Sequence, residues 1–192
     1  PGFSLNQNIW VRNLFRLFDI GLASVGLLLS IPLQLLTGLA VLLLNGRPIL
    51  FAQERLGKDE RPFVLYKFRT MVRDAEGQSG PQWSVEDDPR VTRLGRFLRR
   101  SRLDEMPQLW NVLKGEMSFI GPRPERKHFV DQLRKEIPFY SLRFTVRPGI
   151  TGWAQVNYRY GASREDAQRK LEYELFYIQE MSFFLNILIL AK

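Results

Sequence analysis

The chain has 192 residues, 45% apolar and 25% charged, with 28 Lys and Arg against 20 Asp and Glu and a formal net charge of +8. It contains no cysteine and one histidine, His128. Disulfide frameworks, thiolate nucleophiles, Cys-ligated metal centres and multi-histidine metal sites are therefore excluded, which leaves carboxylates, Lys, Arg, hydroxyls and a hard cation for any catalysis.

The length fits one ordinary domain. The basic balance admits nucleic acid, an anionic membrane surface or a phosphorylated substrate as partner. No charge falls between Ile20 and Gly46, a leucine-dominated run of 27 residues. About 20 apolar residues suffice to span a bilayer, and a straight helix over this run would reach roughly 40 Å. The run is too long for a signal peptide and no small-residue cleavage site follows it, so a membrane-inserted helix is expected. Pro32, in Ser30-Ile31-Pro32, lacks an N–H and is expected to kink or break that helix, with Ser30 able to satisfy a freed carbonyl. Both flanks are basic: Arg12 and Arg16 before, and Arg47, Arg55, Lys58 and Arg61 after. The positive-inside rule then asks both ends to be cytoplasmic. A helix that enters and leaves on one side satisfies both flanks, a kinked spanning helix satisfies one, and the residues alone leave both open. Arg16 and Asp19, at i and i+3, are placed to pair on one helix face at the interface; two snorkelling flank charges are the plainer alternative.

Beyond Gly46 the pattern changes to short strands at 49–55 and 63–69, joined by a turn-forming stretch from Gly57 to Pro62. Alternation puts Phe63, Leu65, Lys67 and Arg69 on one strand face. Lys67 and Arg69 together suit a phosphate, or else a solvated strand end. Residues 71–89 are polar and read as a loop. From Arg90 to Arg102 there are six arginines and no acid; Leu94, Phe97 and Leu98 make this an amphipathic basic helix suited to a membrane surface or a polyanion.

Leu103, Met106, Leu109, Trp110 and Leu113 form the next helical stripe. Pro107 belongs in a first turn and Gly115 reads as the stop, so Asp104 and Glu105 fall at a helix N-terminus. That end of the dipole favours an ionised carboxylate at Asp104, available as a nucleophile, and with the preceding arginines attracts phosphate. Simple charge capping is the commoner use of such residues. Gly121-Pro122-Arg123-Pro124-Glu125 is a rigid turn that presets one arginine. A helix follows to Glu136 with Phe129 and Leu133 inward, and His128 on it is read as structural. Arg147 to Asn157 is a Pro/Gly-stiffened loop whose Arg147, Trp153 and Gln155 can hold a phosphate and a stacked base. A capping box at Ser163 and Asp166 opens a helix to about Gln179. Met181 to Leu190 reads as an apolar interfacial element.

Taken in order, these motifs resemble the bacterial sugar transferases of the monotopic polyprenyl-phosphate phosphoglycosyl transferase superfamily. The resemblance runs from Arg16 to about Leu190. It rests on the Arg16–Asp19 pair before a Pro-broken apolar helix, Gln53-Glu54-Arg55-Leu56-Gly57, Tyr66-Lys67-Phe68-Arg69-Thr70-Met71 and Leu103-Asp104-Glu105-Met106-Pro107-Gln108-Leu109. It continues through Asn111-Val112-Leu113-Lys114-Gly115-Glu116-Met117-Ser118, Gly121-Pro122-Arg123-Pro124 and Arg147-Pro148-Gly149-Ile150-Thr151-Gly152-Trp153-Ala154-Gln155.

The resemblance implies an α+β fold. A small, mostly helical catalytic domain with a short β-hairpin (residues 48–192) would sit at the membrane surface. It would be anchored by an N-terminal re-entrant helix-break-helix (residues 1–47) and amphipathic interfacial helices. It implies transfer of sugar-1-phosphate from a UDP-sugar to polyprenyl (undecaprenyl) phosphate, with UMP released, at the cytoplasmic face of the bacterial inner membrane. Asp104 would be the nucleophile, forming a covalent phosphosugar, with Glu105 as its dyad partner. Mg²⁺ would bridge Asp104 and the diphosphate. Lys67, Arg69 and Arg123 would contact phosphate, and Arg147 and Gln155 would belong to a nucleotide or substrate loop. Membrane lipids are expected neighbours, a homodimer is allowed, and nucleic acid is not expected. The sequence departs from the family in the Ile31 between Ser30 and Pro32. The start at Pro1 and the end at Lys192 point to the catalytic portion of a longer protein with a truncated C-terminal tail. A non-catalytic basic module for membranes or nucleic acid would account for the charge, but not for a carboxylate dyad beside Pro-framed arginines.

Overall fold

The structure is a computed structural model and describes residues 9–77, 80–83, 88–158 and 163–192. It is α+β, with one long apolar helix, two two-stranded sheets and six shorter helices among the described residues.

Helix α1 (Ile9–Asn45) carries the apolar run, and from Asn13 to Asn45 it is long and apolar enough to cross a membrane. Its secondary structure continues through Pro32, so the expected helix-break-helix is not present as two separate helices. Proline removes one amide and leaves the other helical bonds in place, and nearby polar groups can support the site. Ser30 Oγ bonds the Leu27 carbonyl at 3.2 Å and accepts from Gln34 Nε2 at 2.8 Å. The carbonyl left without its amide by Pro32 is that of Leu28, one residue further on. Along one stripe of α1, Asp19, Ala23, Thr37 and Val41 are buried, while Leu28, Leu29, Leu35, Leu36, Leu43 and Leu44 are largely exposed.

Strands β1 (Leu50–Leu56) and β2 (Pro62–Phe68) form the expected antiparallel hairpin, with Phe51 opposite Lys67. Helix α2 (Arg93–Arg100) is capped by the Thr92 side chain, which accepts from the Gly95 amide. Helix α3 (Gln108–Lys114) ends at Gly115, whose positive φ of 83° is the left-handed stop foreseen for glycine.

Strand β3 (Ser118–Ile120) pairs in parallel with β4 (Gly149–Thr151). No sequence signal anticipated that pairing. Gly121 and Gly149 make it feasible: a Cβ on Gly149 would stand 2.1 Å from the Gly121 amide nitrogen. Between these strands lies α4 (Lys127–Glu136), with Phe129 and Leu133 buried as its spacing requires. The chain closes with α5 (Trp153–Asn157), α6 (Arg164–Glu180), which has the complete Ser163–Asp166 capping box, and α7 (Phe183–Ala191).

Arg16 and Asp19 do not form an ion pair with each other; each fastens α1 to a different element. Arg16 donates to the carbonyls of Val112 and Leu113 at 2.6 and 2.7 Å, capping the end of α3. Asp19 accepts from Ser118 Oγ at 3.0 Å and the Phe119 amide at 3.1 Å. At the other end of α1, Val41 packs with Phe68 and Leu98. The Arg69 guanidinium there donates to the carbonyls of Asn45 and Gly46. Both ends of the apolar helix are thus fastened to the same folded body.

Candidate active site

Three segments distant in sequence converge on Glu105. Residues Leu103–Glu105 form one tight helical turn, and Met106 and Pro107 continue with helical dihedrals into α3. Just before the turn Arg102 has φ 59°, a left-handed conformation that reverses the chain after α2. Lys67 reaches Glu105 Oε1 from β2 at 2.8 Å, and Arg123 reaches the same oxygen from the Pro122–Pro124 turn at 2.8 Å. Asp104 and Glu105 are both buried, at 6% exposure each. Asp104 Oδ1 is buried without a hydrogen-bond partner.

The two carboxylates differ in electrostatic environment. Burial alone would raise Glu105, but Arg123 and Lys67 outweigh it and hold its carboxyl well below the usual range. For Asp104 burial wins: its carboxyl is pushed up, with Glu105 adding to the rise and Lys67, Arg99 and Arg123 opposing it. The helix dipole favours the ionised form of Asp104, and burial works against it. Burial and the neighbouring arginine push Lys67 down to about 8, against the pull of Glu105.

The arginine turn is held from several sides. Arg143 donates to the Arg123 carbonyl at 2.9 Å and to Glu174 Oε1 at 2.7 Å, within a fully buried pair on the last 3₁₀ turn before β4 and on α6. Arg55 donates to Glu125 at 3.0 Å, the Leu56 amide bonds the Glu125 carbonyl at 3.0 Å, and the Gly149 amide bonds the Pro122 carbonyl at 2.9 Å. Behind β2, the wholly buried Asn111 ties α3 to the strand. Its Nδ2 donates to the Val64 carbonyl at 2.7 Å and its Oδ1 accepts from the Tyr66 amide at 3.3 Å.

Of the residues singled out in the sequence, Asp104, Glu105, Lys67 and Arg123 are brought together. Arg69 is buried against the end of α1, bonded to its carbonyls. Arg147 Nε donates to the Gly115 carbonyl at 2.9 Å and lines a separate cavity of about 300 Å³ with Arg16 and Asp19. Gln155 Nε2 donates to the Ile150 carbonyl at 3.1 Å, inside its own loop. Trp153 stacks on Phe176, with Lys192 over its ring. The polar loop 71–89 lies partly outside the described residues.

The family model described as bacterial sugar transferase matches residues 10–192. The chain belongs to the bacterial sugar transferase family. A UDP-N-acetylgalactosamine-undecaprenyl-phosphate N-acetylgalactosaminephosphotransferase of Aeromonas hydrophila is 48% identical over 177 residues, covering 92% of this chain and 42% of the relative. A UDP-glucose:undecaprenyl-phosphate glucose-1-phosphate transferase of Escherichia coli is 43% identical over 178 residues, 92% of this chain and 38% of the relative. Another so named, from Caulobacter vibrioides, is 39% identical over 179 residues, 92% of this chain and 67% of the relative. The chain thus spans about two fifths of the length of the first two relatives.

In this sugar transferase family member, sequence reading missed three contributors to the site. Arg99, on the basic helix read as suited to a membrane surface or a polyanion, acts electrostatically on Asp104 and bonds Thr70 Oγ1 at 3.0 Å. The Arg143–Glu174 pair and Asn111 act through the turn and strand that they hold. No spacing rule could have found the Arg143–Glu174 pair or Asn111, because each works on a group distant in sequence.

Proposed function

We propose that this chain transfers sugar-1-phosphate from a UDP-sugar to a polyprenyl phosphate, as the names of its relatives describe for those proteins. The observation that carries the reading is the buried Asp104 carboxylate, with an unpartnered Oδ1, next to two cations set on Glu105. An Asp104 oxygen attacks the sugar-bearing phosphorus, a new P–O bond forms, and the bond to the nucleotide phosphate breaks with its electron pair leaving on UMP. Polyprenyl phosphate then attacks the same phosphorus and releases the Asp104 carboxylate. Lys67 and Arg123, held by Glu105, balance the charge of the bound diphosphate.

A hard cation fits this site in one way. Among the described residues no group of three acidic or histidine side chains is placed to hold a metal. Mg²⁺ commonly binds through one or two carboxylates plus substrate phosphates, and Asp104, with its unpartnered Oδ1, would be the residue to hold it. Once bound, the ion would neutralise charge on the leaving phosphate.

On this reading α1 enters the membrane as a re-entrant element on the cytoplasmic face. Support comes from its exposed leucine face and from the attachment of both its ends to one folded body. α7 joins the same apolar surface, with Phe183 edge-on to Phe18 at 5.8 Å.

The test uses detergent-solubilised protein, Mg²⁺ and UDP-N-acetylgalactosamine or UDP-glucose labelled in the sugar-bearing phosphate. Without acceptor, one equivalent of UMP should be released and label should stay on the protein. Asp104→Asn should abolish both, and retention of either would refute the covalent route.

A further inference from the structure

Gln108 is a buried polar side chain for which the fold provides no use. It is 2% exposed, and its Nε2 has no hydrogen-bond partner. A buried donor left unpaired is costly, so its retention calls for an explanation. It opens α3 directly after the helical turn that carries the dyad. From Leu103 to Trp110 the backbone closes with bonds three residues apart, a spacing that sets side chains at i and i+3 on one face, which puts Gln108 one turn on from Glu105, with Asp104 beside it in the chain. The second unpaired buried atom there is Asp104 Oδ1. An orphan donor and an orphan acceptor therefore sit one turn apart, beside Lys67 and Arg123.

We infer that the Gln108 carboxamide is the donor for a non-bridging oxygen of the phosphoryl group that Asp104 attacks. As the new P–O bond forms and UMP departs, negative charge builds on the non-bridging oxygens. A neutral N–H donor already fixed in a dry site stabilises that charge without reorganisation. The cations bind the diphosphate before and during attack, whereas Gln108 acts chiefly as the charge develops. The inference rests on the transfer reaction proposed above.

The decisive variant is Gln108→Met, which keeps length and flexibility but removes the carboxamide. Its first half-reaction, read as UMP release without acceptor, should slow by about 100-fold. KM for the UDP-sugar should change less than about threefold, because the interaction forms mainly in the transition state. The melting temperature should hold or rise, since an unpaired polar group leaves the core. A residue serving only structure would lose stability and activity together. Gln108→Glu supplies a second test should the Met variant fail to fold. It puts a like charge beside Asp104, and the acid limb of the pH–rate profile should move upward. A first half-reaction within threefold of wild type in the Met variant, or an unmoved acid limb in the Glu variant, overturns the inference. If wild type itself releases no UMP, the transfer reading fails and the inference falls with it; if wild type reacts and the variants match it, only the role of Gln108 falls.

Discussion

Glu105 and Asp104 are adjacent carboxylates that the fold treats in opposite ways. Glu105 shares one oxygen between Lys67 and Arg123, so its charge is neutralised locally and serves to orient the cations. Glu105→Gln keeps the shape and removes the negative charge that Lys67 and Arg123 share. A loss of about 3 kcal/mol is expected, the lower end for breaking a buried pair because Arg123 is partly exposed. For a chain of this size that is about 6–12 °C in melting temperature. With its folded pKa depressed from 4.5, Glu105 stabilises the fold above that pH, and the contribution is lost as pH falls.

Activity should follow a bell. It falls in acid as the raised Asp104 carboxyl takes up a proton, and falls in alkali as Lys67, pushed down to about 8, loses its own. Lys67→Arg, which stays charged, should remove the alkaline limb from the pH profile of UMP release; a limb persisting near pH 8 would mean that another group titrates.

Among the elements, the Pro122–Pro124 turn depends most on close backbone approach. Gly121 and Gly149 let β3 and β4 lie side by side, and the Gly149 amide holds the Pro122 carbonyl. A methyl group at Gly149 would meet Gly121 backbone at 2.1 Å. Gly149→Ala should therefore cost about 3 kcal/mol and displace Arg123 from Glu105. UMP release should drop well beyond the loss of folded protein measured by circular dichroism. An equal drop in both would make the turn structural only. The hairpin is easier to read from sequence: alternation put Phe63, Leu65 and Lys67 on one face, and Phe63 and Leu65 are buried there.

For the whole molecule the governing feature is that α1 is attached at both ends. Arg16 and Asp19 bind α3 and β3, while Val41 and Asn45 meet β2 and the residue after it. A helix whose two ends touch one folded body cannot leave those ends on opposite sides of a bilayer unless the contacts break. Single cysteines placed before Arg16 and after Arg47 should therefore react with an impermeant thiol reagent from the same, cytoplasmic side of inverted vesicles. Labelling from opposite sides would establish a spanning helix and a rearranged domain.

Sequence alone determined what is local: the apolar run of α1, the hairpin, the Thr92 to Gly115 helices, the capping box of α6, and a carboxylate dyad at the start of a helical stretch. Each depends on periodicity or turn chemistry within a few residues. It also carried the family, because ordered motifs along the chain are legible without contacts. Only tertiary structure decided which basic residues share the site. Lys67 and Arg123 reach Glu105 across 38 and 18 residues, whereas Arg69, with the same alternation as Lys67, turns to the end of α1. It also decided that burial raises Asp104 while two cations depress Glu105, since desolvation and charge proximity depend on what packs around a group rather than on its neighbours in sequence.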